Sequence, residues 1–487
     1  MKFPATKTLL LISFIFYAGY FQVWAQKSTV HYDVTLGAAL SANETLPFWL
    51  ASNRYGSVPN TNHLLLNAAI YSNLKKPENN FGISYKFSAT GFIANENIAT
   101  GYVADKNALL INEGYLRLQY KNWGLDIGNR NDQLLWEGLS SSNGHIIKST
   151  NARAIPGINI KTLDYLPLPF AKKWLRFQLN FANYWLNDHR MVDRAMLHHA
   201  GLFFKFKLNP TLDLIAGMDH YAQWGGSSPI SGKQPSTFKD FMRIVMGKSG
   251  GSSSLEMDQQ NALGNHVGAY LLQLNYNGHN SNLNFYYSHP FEDASGMELQ
   301  NWMDGLYGFM VDLKKPNAPI SHILAEFTYT KHMSGKNKAD RVDENGNKLP
   351  GRGHDNYFNN GAYGSGWTYF GHCIGSPYFT TVPVNANGIT NGVIKGDNRF
   401  TAFNAGLKGT LNPIHYKAML SYITYFGWFE NEYDPKPKQL SGLLEVRLPQ
   451  HKRRIPFDIT ASFSFDAGSY QPINLGGFLT LTKRGIF

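Results

Sequence analysis

Short stretches in which apolar and polar residues alternate recur along most of the chain. Between residues 175 and 185 the apolar side chains share one face of an extended strand, namely Leu175, Phe177, Leu179, Phe181 and Trp185. Polar residues such as Arg176 and Gln178 take the other face, and only a period of two separates them in this way. The same alternation returns at residues 202–208, 323–329 and 457–465. These stretches predict β-strands with one apolar and one polar face.

The junctions between these strands alternate in length. Short turns fall at residues 75–80, 121–122, 165–173, 209–210, 277–280, 314–320, 412–414 and 450–454. The junctions between them are mostly longer and run roughly over residues 95–111, 130–154, 186–195, 224–265, 289–304, 331–399, 428–437 and 467–474. A soluble sandwich also alternates along its strands, but this loop asymmetry is typical of a bacterial barrel. We therefore predict an all-β fold, a transmembrane antiparallel outer-membrane β-barrel of about eighteen strands with short periplasmic turns and long extracellular loops.

The start of the chain has the character of a secretion signal. Residues 1–25 combine Lys2 and Lys7 with an apolar run and end in Ala25, a pattern typical of a cleaved signal peptide. We expect residues 26–62 to form an N-terminal segment with a first strand, and residues 63–487 to form the barrel. Within that segment, the run LPFWLASNRYGSVP is either a short helix or plug against the barrel wall, or an ordered first loop.

Composition limits the classes of binding partner expected for this chain. Aromatic residues make up 14% of the chain, which suits the interfacial girdles of a barrel. The one cysteine, Cys373, excludes an intramolecular disulfide and argues against a cysteine metal cluster. Loss of Lys2 and Lys7 with the signal lowers the net charge from +11 to +9. For a secreted barrel we expect outer-membrane lipids, anionic lipopolysaccharide or acidic polysaccharide as partners, and no nucleic acid.

Five stretches resemble a known family. They are residues 46–59 (LPFWLASNRYGSVP), residues 134–160 (LLWEGLSSSNGHIIKSTNARAIPGINI), residues 198–226 (HHAGLFFKFKLNPTLDLIAGMDHYAQWGG), residues 286–296 (YYSHPFEDASG) and residues 355–379 (DNYFNNGAYGSGWTYFGHCIGSPYF). Together they resemble the capsule assembly protein Wzi family in its Bacteroidetes-type form, over nearly the whole mature chain. The motifs come from loops and strands and form no catalytic signature. They therefore identify the family better than they identify the role of any single residue.

The resemblance implies a function at the cell surface. Members act as lectin-like outer-membrane barrels that anchor or organise capsular polysaccharide, with the polysaccharide export machinery as a further partner. It implies no enzyme activity and no cofactor. Two other classes stay open at this stage, a diffusion porin and an outer-membrane hydrolase whose catalytic groups come from separate strands.

Candidate binding residues follow from the chemistry of sugars, which stack on aromatic rings and bind amides, carboxylates and cations. The longest loop supplies Arg352, His354, Asp355, Tyr357, Trp367 and Tyr369. A second cluster contains His220 and Trp224 at a strand exit, and a third contains Trp302. The alternatives are that the loop aromatics pack the loop against itself, and that Trp224 belongs to the outer aromatic girdle.

Charged residues also fall on the polar faces of the predicted strands. We expect the lumen to hold Arg117, Asp126, Arg176, Lys205, Lys207, Asp213, Asp219, Glu326, Glu445, Arg447 and Asp458. These either line a conducting pore or pair across the lumen and help to close it. The sequence contains no G-x-S-x-G, H-E-x-x-H or phosphate-loop motif, so we predict no catalytic or metal site.

Overall fold

The computed structural model describes residues 29–72, 80–94, 107–171, 173–251, 262–292, 294–335, 341–342, 348–349, 355–383, 389–450 and 455–487. The predicted signal peptide, residues 1–25, lies outside the described residues. Among the helices of the described part, none combines the length and apolar character needed to cross a membrane.

Eighteen long strands in the described residues form one antiparallel barrel. The first nine, β1 to β9, are Val30–Ser41, His63–Ser72, Phe81–Ala94, Asn107–Tyr120, Trp123–Asn129, Gly157–Thr162, Leu175–Trp185, Met196–Lys207 and Leu212–Trp224. The next nine, β10 to β18, are Asn265–Asn277, Asn282–Phe291, Gly305–Asp312, His322–Tyr329, Phe400–Leu411, Ile414–Tyr425, Lys438–Leu448, Asp458–Gly468 and Asn474–Ile486. The fold class and the strand number predicted from the sequence are confirmed.

Pairing between the first and last strands closes the sheet. Strand β1 pairs with β2 on one side and with β18 on the other, where His31 lies opposite Ile486 and Ser41 opposite Gly476. Closure leaves no open sheet edge, so every strand satisfies its backbone groups within the wall.

Side chains alternate between the outside and the lumen as the sequence predicts. On β2, Leu64 and Leu66 are more than half exposed on the outer face, whereas Leu65 is buried in the lumen. On β17, Phe463 is exposed outside while Ser462 and Ser464 are buried inside. Apolar side chains on the outer face match lipid, and polar side chains face inward because the lumen supplies hydrogen-bond partners.

Loop lengths alternate along the barrel as predicted. The short turns, such as residues 121–122 and 412–413, lie at one end, called here the short-turn end. The long loops, of which residues 330–399 are the longest, lie at the other, called here the long-loop end. Since the first strand starts and the last strand finishes at the short-turn end, both ends of the barrel sheet lie on that side.

The remaining elements are short. Helix α1, Phe48–Ala51, lies in the first long loop, helix α2, Phe238–Val245, in the loop after β9, and helix α3, Ala294–Met297, in the loop after β11. A 3-10 turn spans Trp136–Gly138, and two-residue strands occur at Leu166–Pro167, Ser227–Ser228, Gly232–Lys233, Arg341–Val342, Lys348–Leu349, Thr368–Tyr369 and His372–Cys373. Residues 26–62 thus contain strand β1, which is part of the barrel sheet, and helix α1.

Oppositely charged side chains pair between neighbouring strands on the lumen side of the wall. Asp126 contacts Arg117 at 2.5 Å, Lys161 at 3.1 Å and Arg130 at 3.3 Å. Lys205 pairs with Asp213 at 3.0 Å. These residues are paired rather than free to line a pore, but they pair along the wall and not across the lumen as the second alternative proposed.

Candidate functional site

Two described parts of the longest loop, residues 330–335 and 355–383, fold into the long-loop end of the barrel and form a plug. Its Trp367 is fully buried, donates a hydrogen bond from Nε1 to the carbonyl of Ile147 at 2.6 Å, and packs edge-on against Tyr221 of β9. Tyr378 is fully buried as well, against Trp49 of α1 and Phe400 of β14. The plug is therefore joined to the barrel wall by a continuous apolar core.

A buried ion pair fixes the tip of the plug. Arg190 and Asp188, in the loop between β7 and β8, contact each other at 3.1 Å with both side chains almost fully enclosed. Arg190 also donates to the carbonyls of Gly366 and Thr368, while Asp188 accepts from the amide of Phe370 at 3.1 Å. Because both charges are paired and hydrogen-bonded, this clasp holds the plug without leaving a buried charge unmatched.

A second anchor is the carboxylate of Asp304, directly before β12. It accepts hydrogen bonds from the amides of His332 and Met333 at 2.9 and 2.7 Å, and from the hydroxyl of Tyr357 at 2.6 Å. Burial raises the pKa of Asp304 to about 6, although these three hydrogen bonds act in the opposite direction. The carboxylate of Asp304 therefore holds the start of the plug through three hydrogen bonds from uncharged donors.

These contacts show where the predicted loop residues lie. Arg352 and His354 lie outside the described residues. Tyr357, Trp367 and Tyr369 are at most 2% exposed, and Asp355 is buried as well. A ring needs an open face to stack on a sugar, and these three rings have none in this conformation. Their placement favours the alternative that the loop aromatics pack the plug, and their role in binding stays a prediction.

The other three predicted residues lie on the outer side of the barrel. Trp224 is buried beneath helix α2, with its ring 5.2 Å from Phe241. His220 contacts His266 at 2.8 Å. Trp302 is 65% exposed, and its carbonyl accepts a hydrogen bond from Tyr287 at 3.1 Å. This position favours the alternative that Trp224 belongs to the outer aromatic girdle. His220, Trp224 and Trp302 therefore do not share a surface with the plug.

The structure reveals a cleft that the sequence analysis missed. It encloses about 430 Å³ at the long-loop end, between the loop of α1, the plug, and the loop between β17 and β18. It reaches the surface at Thr45, Pro383 and Gln471, which are exposed. We call it the aromatic-amide cleft, and its lining includes Phe48, Asn60, Asn151, His372, Phe379, Thr380, Tyr425, Gln439, Tyr470 and Gln471.

Aromatic rings and amides dominate this cleft. Phe48 stacks on Tyr378, and Tyr470 packs on Tyr425 with ring centroids 4.3 Å apart. The amide oxygen of Gln439 accepts from the backbone of Gln471 at 3.0 Å, while its buried nitrogen has no hydrogen-bond partner among the described residues. A buried amide nitrogen without an acceptor is unfavourable, so a ligand hydroxyl near it would gain a donor.

Charge is low in the cleft. Burial, and to a smaller extent the charge of Arg153, lowers the pKa of His372 to about 4, so this ring is neutral at pH 7. The nearby carboxylate of Asp397 accepts from Tyr470 at 2.5 Å and from Tyr433 at 2.8 Å. Burial raises the pKa of Asp397 above its ordinary value. The cleft is therefore suited to a ligand that offers hydroxyls and apolar faces rather than charge.

A second cavity, of about 500 Å³, lies on the other side of α1. We call it the charged cavity. Its Glu445 contacts Arg54 at 3.2 Å and Lys417 at 3.4 Å, and Lys86 contacts Glu113 at 2.5 Å. Helix α1 separates the two spaces, since Phe48 lines the cleft and Trp49 lines the charged cavity. Within the described residues, no group of three or more acidic, histidine or cysteine side chains could hold a metal ion.

Comparison with known proteins agrees with this architecture. Among solved structures, Wzi of Escherichia coli, described as an outer membrane protein involved in group 1 capsule assembly and a carbohydrate-binding β-barrel, aligns with 12% identity and a TM-score of 0.57. The alignment covers 99% of this chain and 89% of that one. OccK5 of Pseudomonas aeruginosa aligns at 6% identity and TM-score 0.47, over 94% of this chain and 98% of its own.

The search of curated proteins finds no match. The family model of the capsule assembly protein Wzi matches residues 29–391, which is most of the chain. This match and the closed barrel of eighteen strands together establish the class of protein. The chain belongs to the capsule assembly protein Wzi family and is an outer-membrane β-barrel.

Proposed function

We propose that this protein binds capsular polysaccharide and anchors or organises it at the cell surface, with the aromatic-amide cleft as the contact for sugar. The observation that carries the proposal is the cleft itself, which combines ring faces, side-chain amides and a buried amide nitrogen without a partner. Sugars offer C–H faces to rings and hydroxyls to amides. The carbohydrate binding described for Wzi of Escherichia coli supports the same class of ligand.

The position of the cleft also supports the proposal. It lies at the long-loop end, which faces the outside in barrels of this kind. Its volume of about 430 Å³ lies within the range of small-ligand sites, which is roughly 300–1,000 Å³. One or two sugar units of a longer chain would fit, while the rest of the polymer would extend from the surface.

The described part of the lumen fits a binding protein better than it fits a diffusion porin. A porin needs a continuous water path, and the buried plug residues Tyr357, Trp367 and Tyr378 occupy the end where that path would open. No specific observation favours a hydrolase. Contacts with the export machinery and with lipopolysaccharide stay predictions.

The proposal is tested in cells that lack the gene. They are complemented with the wild-type gene, with Phe48→Ala combined with Gln439→Leu, or with Arg54→Gln in the charged cavity, and capsular polysaccharide is measured on cells and in the medium. We expect the deletion and the cleft variant to shed polysaccharide that is made in normal amounts, and Arg54→Gln to retain it. Equal retention by the cleft variant, at equal barrel levels, would remove the cleft from the proposal.

A further inference from the structure

Helix α2, in the loop between β9 and β10, packs against the outside of the barrel. It contacts β8 and β9. The ring of Phe241 lies 5.3 Å from His198 and 5.2 Å from Trp224. His198 lies opposite Asn183 of β7, so it shares an outer face with Phe181 and Trp185, which are 37% and 46% exposed.

A small apolar core holds the helix on the wall. It contains Ala222, Trp224, Ile244 and Leu263, and it is separate from the core of the plug. The helix begins sharply, because Thr237 and Asp240 form a capping box in which each side chain accepts a hydrogen bond from the other's backbone amide. Helix α2 is therefore a fixed structural element at the outer face of the wall.

The opposite side of α2 is also apolar. Phe238, Met242 and the C-cap residue Met246 are 78%, 38% and 52% exposed, and their spacing of four residues places them along one side of the helix. Phe241 and Ile244 take the side towards the wall. An eight-residue helix that is apolar on both of these sides is suited to a site between the wall and a lipid phase.

Basic residues border the exposed apolar stripe. Lys239 and Lys248 are exposed, and Arg243 pairs with the buried Asp240 at 3.2 Å. Trp224, at the end of β9, and Trp185, at the end of β7, place the helix at the height of the strand ends, where interfacial aromatic residues meet lipid headgroups. Cations at this height meet headgroup phosphates.

We infer that helix α2 inserts its Phe238–Met242–Met246 stripe among the acyl chains of the outer leaflet, while Lys239 and Lys248 bind the phosphate of lipid A. The occupant is a lipid of the membrane in which the barrel sits, because the stripe continues the lipid-facing surface of β7 to β9. This inference rests on the outer-membrane location and not on the proposed polysaccharide binding.

The test uses the full-length barrel in nanodiscs. In a Cys373→Ala background, Phe238→Cys carries an environment-sensitive fluorophore, and Asn431→Cys, in the exposed loop between β15 and β16, is the matched control. We expect a nitroxide on the acyl chains to quench the label at position 238 and to leave the label at position 431 unaffected. Equal, weak quenching at both positions would overturn the inference.

Headgroup specificity is tested in the same nanodiscs by adding lipid A or dephosphorylated lipid A to phosphatidylcholine. We expect phosphorylated lipid A to bind more tightly, and Lys239→Gln with Lys248→Gln to weaken it by about fivefold per lysine. Equal binding of both lipids would overturn the assignment to phosphate. Polysaccharide binding by the lysine variant should be unchanged, so failure of this inference and failure of the proposed function remain distinguishable.

Discussion

The two spaces on either side of helix α1 are built from different chemistry. In the charged cavity, the cations Arg54, Lys86 and Lys417 are each matched by a carboxylate on a barrel strand. In the aromatic-amide cleft, rings and amides form the lining, and the nitrogen of Gln439 has no partner among the described residues. The cations of the charged cavity are paired with carboxylates, whereas the cleft has an unpaired amide donor that a ligand could use.

This difference separates stability from binding. Paired charges within a lumen hold neighbouring strands in place, and removal of one partner leaves the other buried and unmatched. Rings and amides in a cleft contribute to ligand affinity through stacking and hydrogen bonds. Substitutions should therefore affect mainly stability on one side of α1 and mainly polysaccharide binding on the other.

The largest expected effect is on the plug that forms one wall of the cleft. Trp367→Ala removes a fully buried indole and the donor to the Ile147 carbonyl, which should lower the free energy of unfolding of the plug by about 3–5 kcal/mol. With Tyr369→Ala added, polysaccharide binding should weaken while the heat-modifiable barrel persists. Urea-dependent proteolysis measures the stability of the plug, and planar-bilayer conductance measures whether the plug still closes the lumen.

The control for the plug is Trp302→Ala, since that ring is 65% exposed on the outer side. It should leave both plug stability and conductance near the wild-type values. Equal losses in the two tryptophan variants would contradict the assignment of Trp367 to plug packing.

An effect of similar size, on the barrel rather than on the plug, should come from a lumen carboxylate. Asp126→Asn leaves Arg117, Arg130 and Lys161 without their shared carboxylate, and this should cost about 3–5 kcal/mol of barrel stability. The control Asp193→Asn breaks an ion pair with Arg194 in which both side chains are mostly exposed, and should change stability by less than about 1 kcal/mol. Equilibrium unfolding in urea compares the two variants, and a comparable loss in both would argue against the stabilising role of lumen pairing.

A smaller, pH-dependent effect is expected at Asp304. Its pKa of about 6 in the folded protein exceeds the unfolded value of about 3.9, so the folded state binds the proton more tightly. The contribution of Asp304 to plug stability should therefore be largest below pH 4, fall by roughly 3 kcal/mol between pH 4 and 6, and stay constant above.

Hydrogen exchange of residues 330–335, corrected for the intrinsic effect of pH, measures this dependence. Asp304→Asn should remove the slope because it removes the titrating group. A slope that persists in this variant would assign the pH dependence to another residue.

The wall of the barrel was predictable from sequence because each strand follows a local rule. The outer face of the wall meets lipid and the inner face meets water or paired charges, so apolar and polar residues alternate with a period of two along each strand. Phe181 and Asp126 could therefore be assigned to their faces without a structure. The turns were predictable for the same reason, since an antiparallel barrel alternates the ends at which its strands connect.

The cleft was not predictable because its residues meet only after the loops fold back. Phe48, Thr380, Gln439 and Tyr470 come from four separate regions of the chain. An aromatic residue in a long loop has the same local signal whether it packs a plug, as Trp367 does, or lines a cleft. The sequence marks the run around Phe48 as a short helix or an ordered loop, and only its position beside the β17–β18 loop shows that Phe48 lines the cleft.

Binding of polysaccharide in the cleft is tested most directly by the affinity of the purified barrel for capsular polysaccharide after changes on either side of α1. Phe48→Ala with Gln439→Leu alters the cleft, and Arg54→Gln alters the charged cavity. We expect the cleft variant to lose at least about tenfold in affinity, and Arg54→Gln to bind as the wild type does. Undiminished binding by a folded cleft variant, or an equal loss in both, would contradict polysaccharide binding in the cleft.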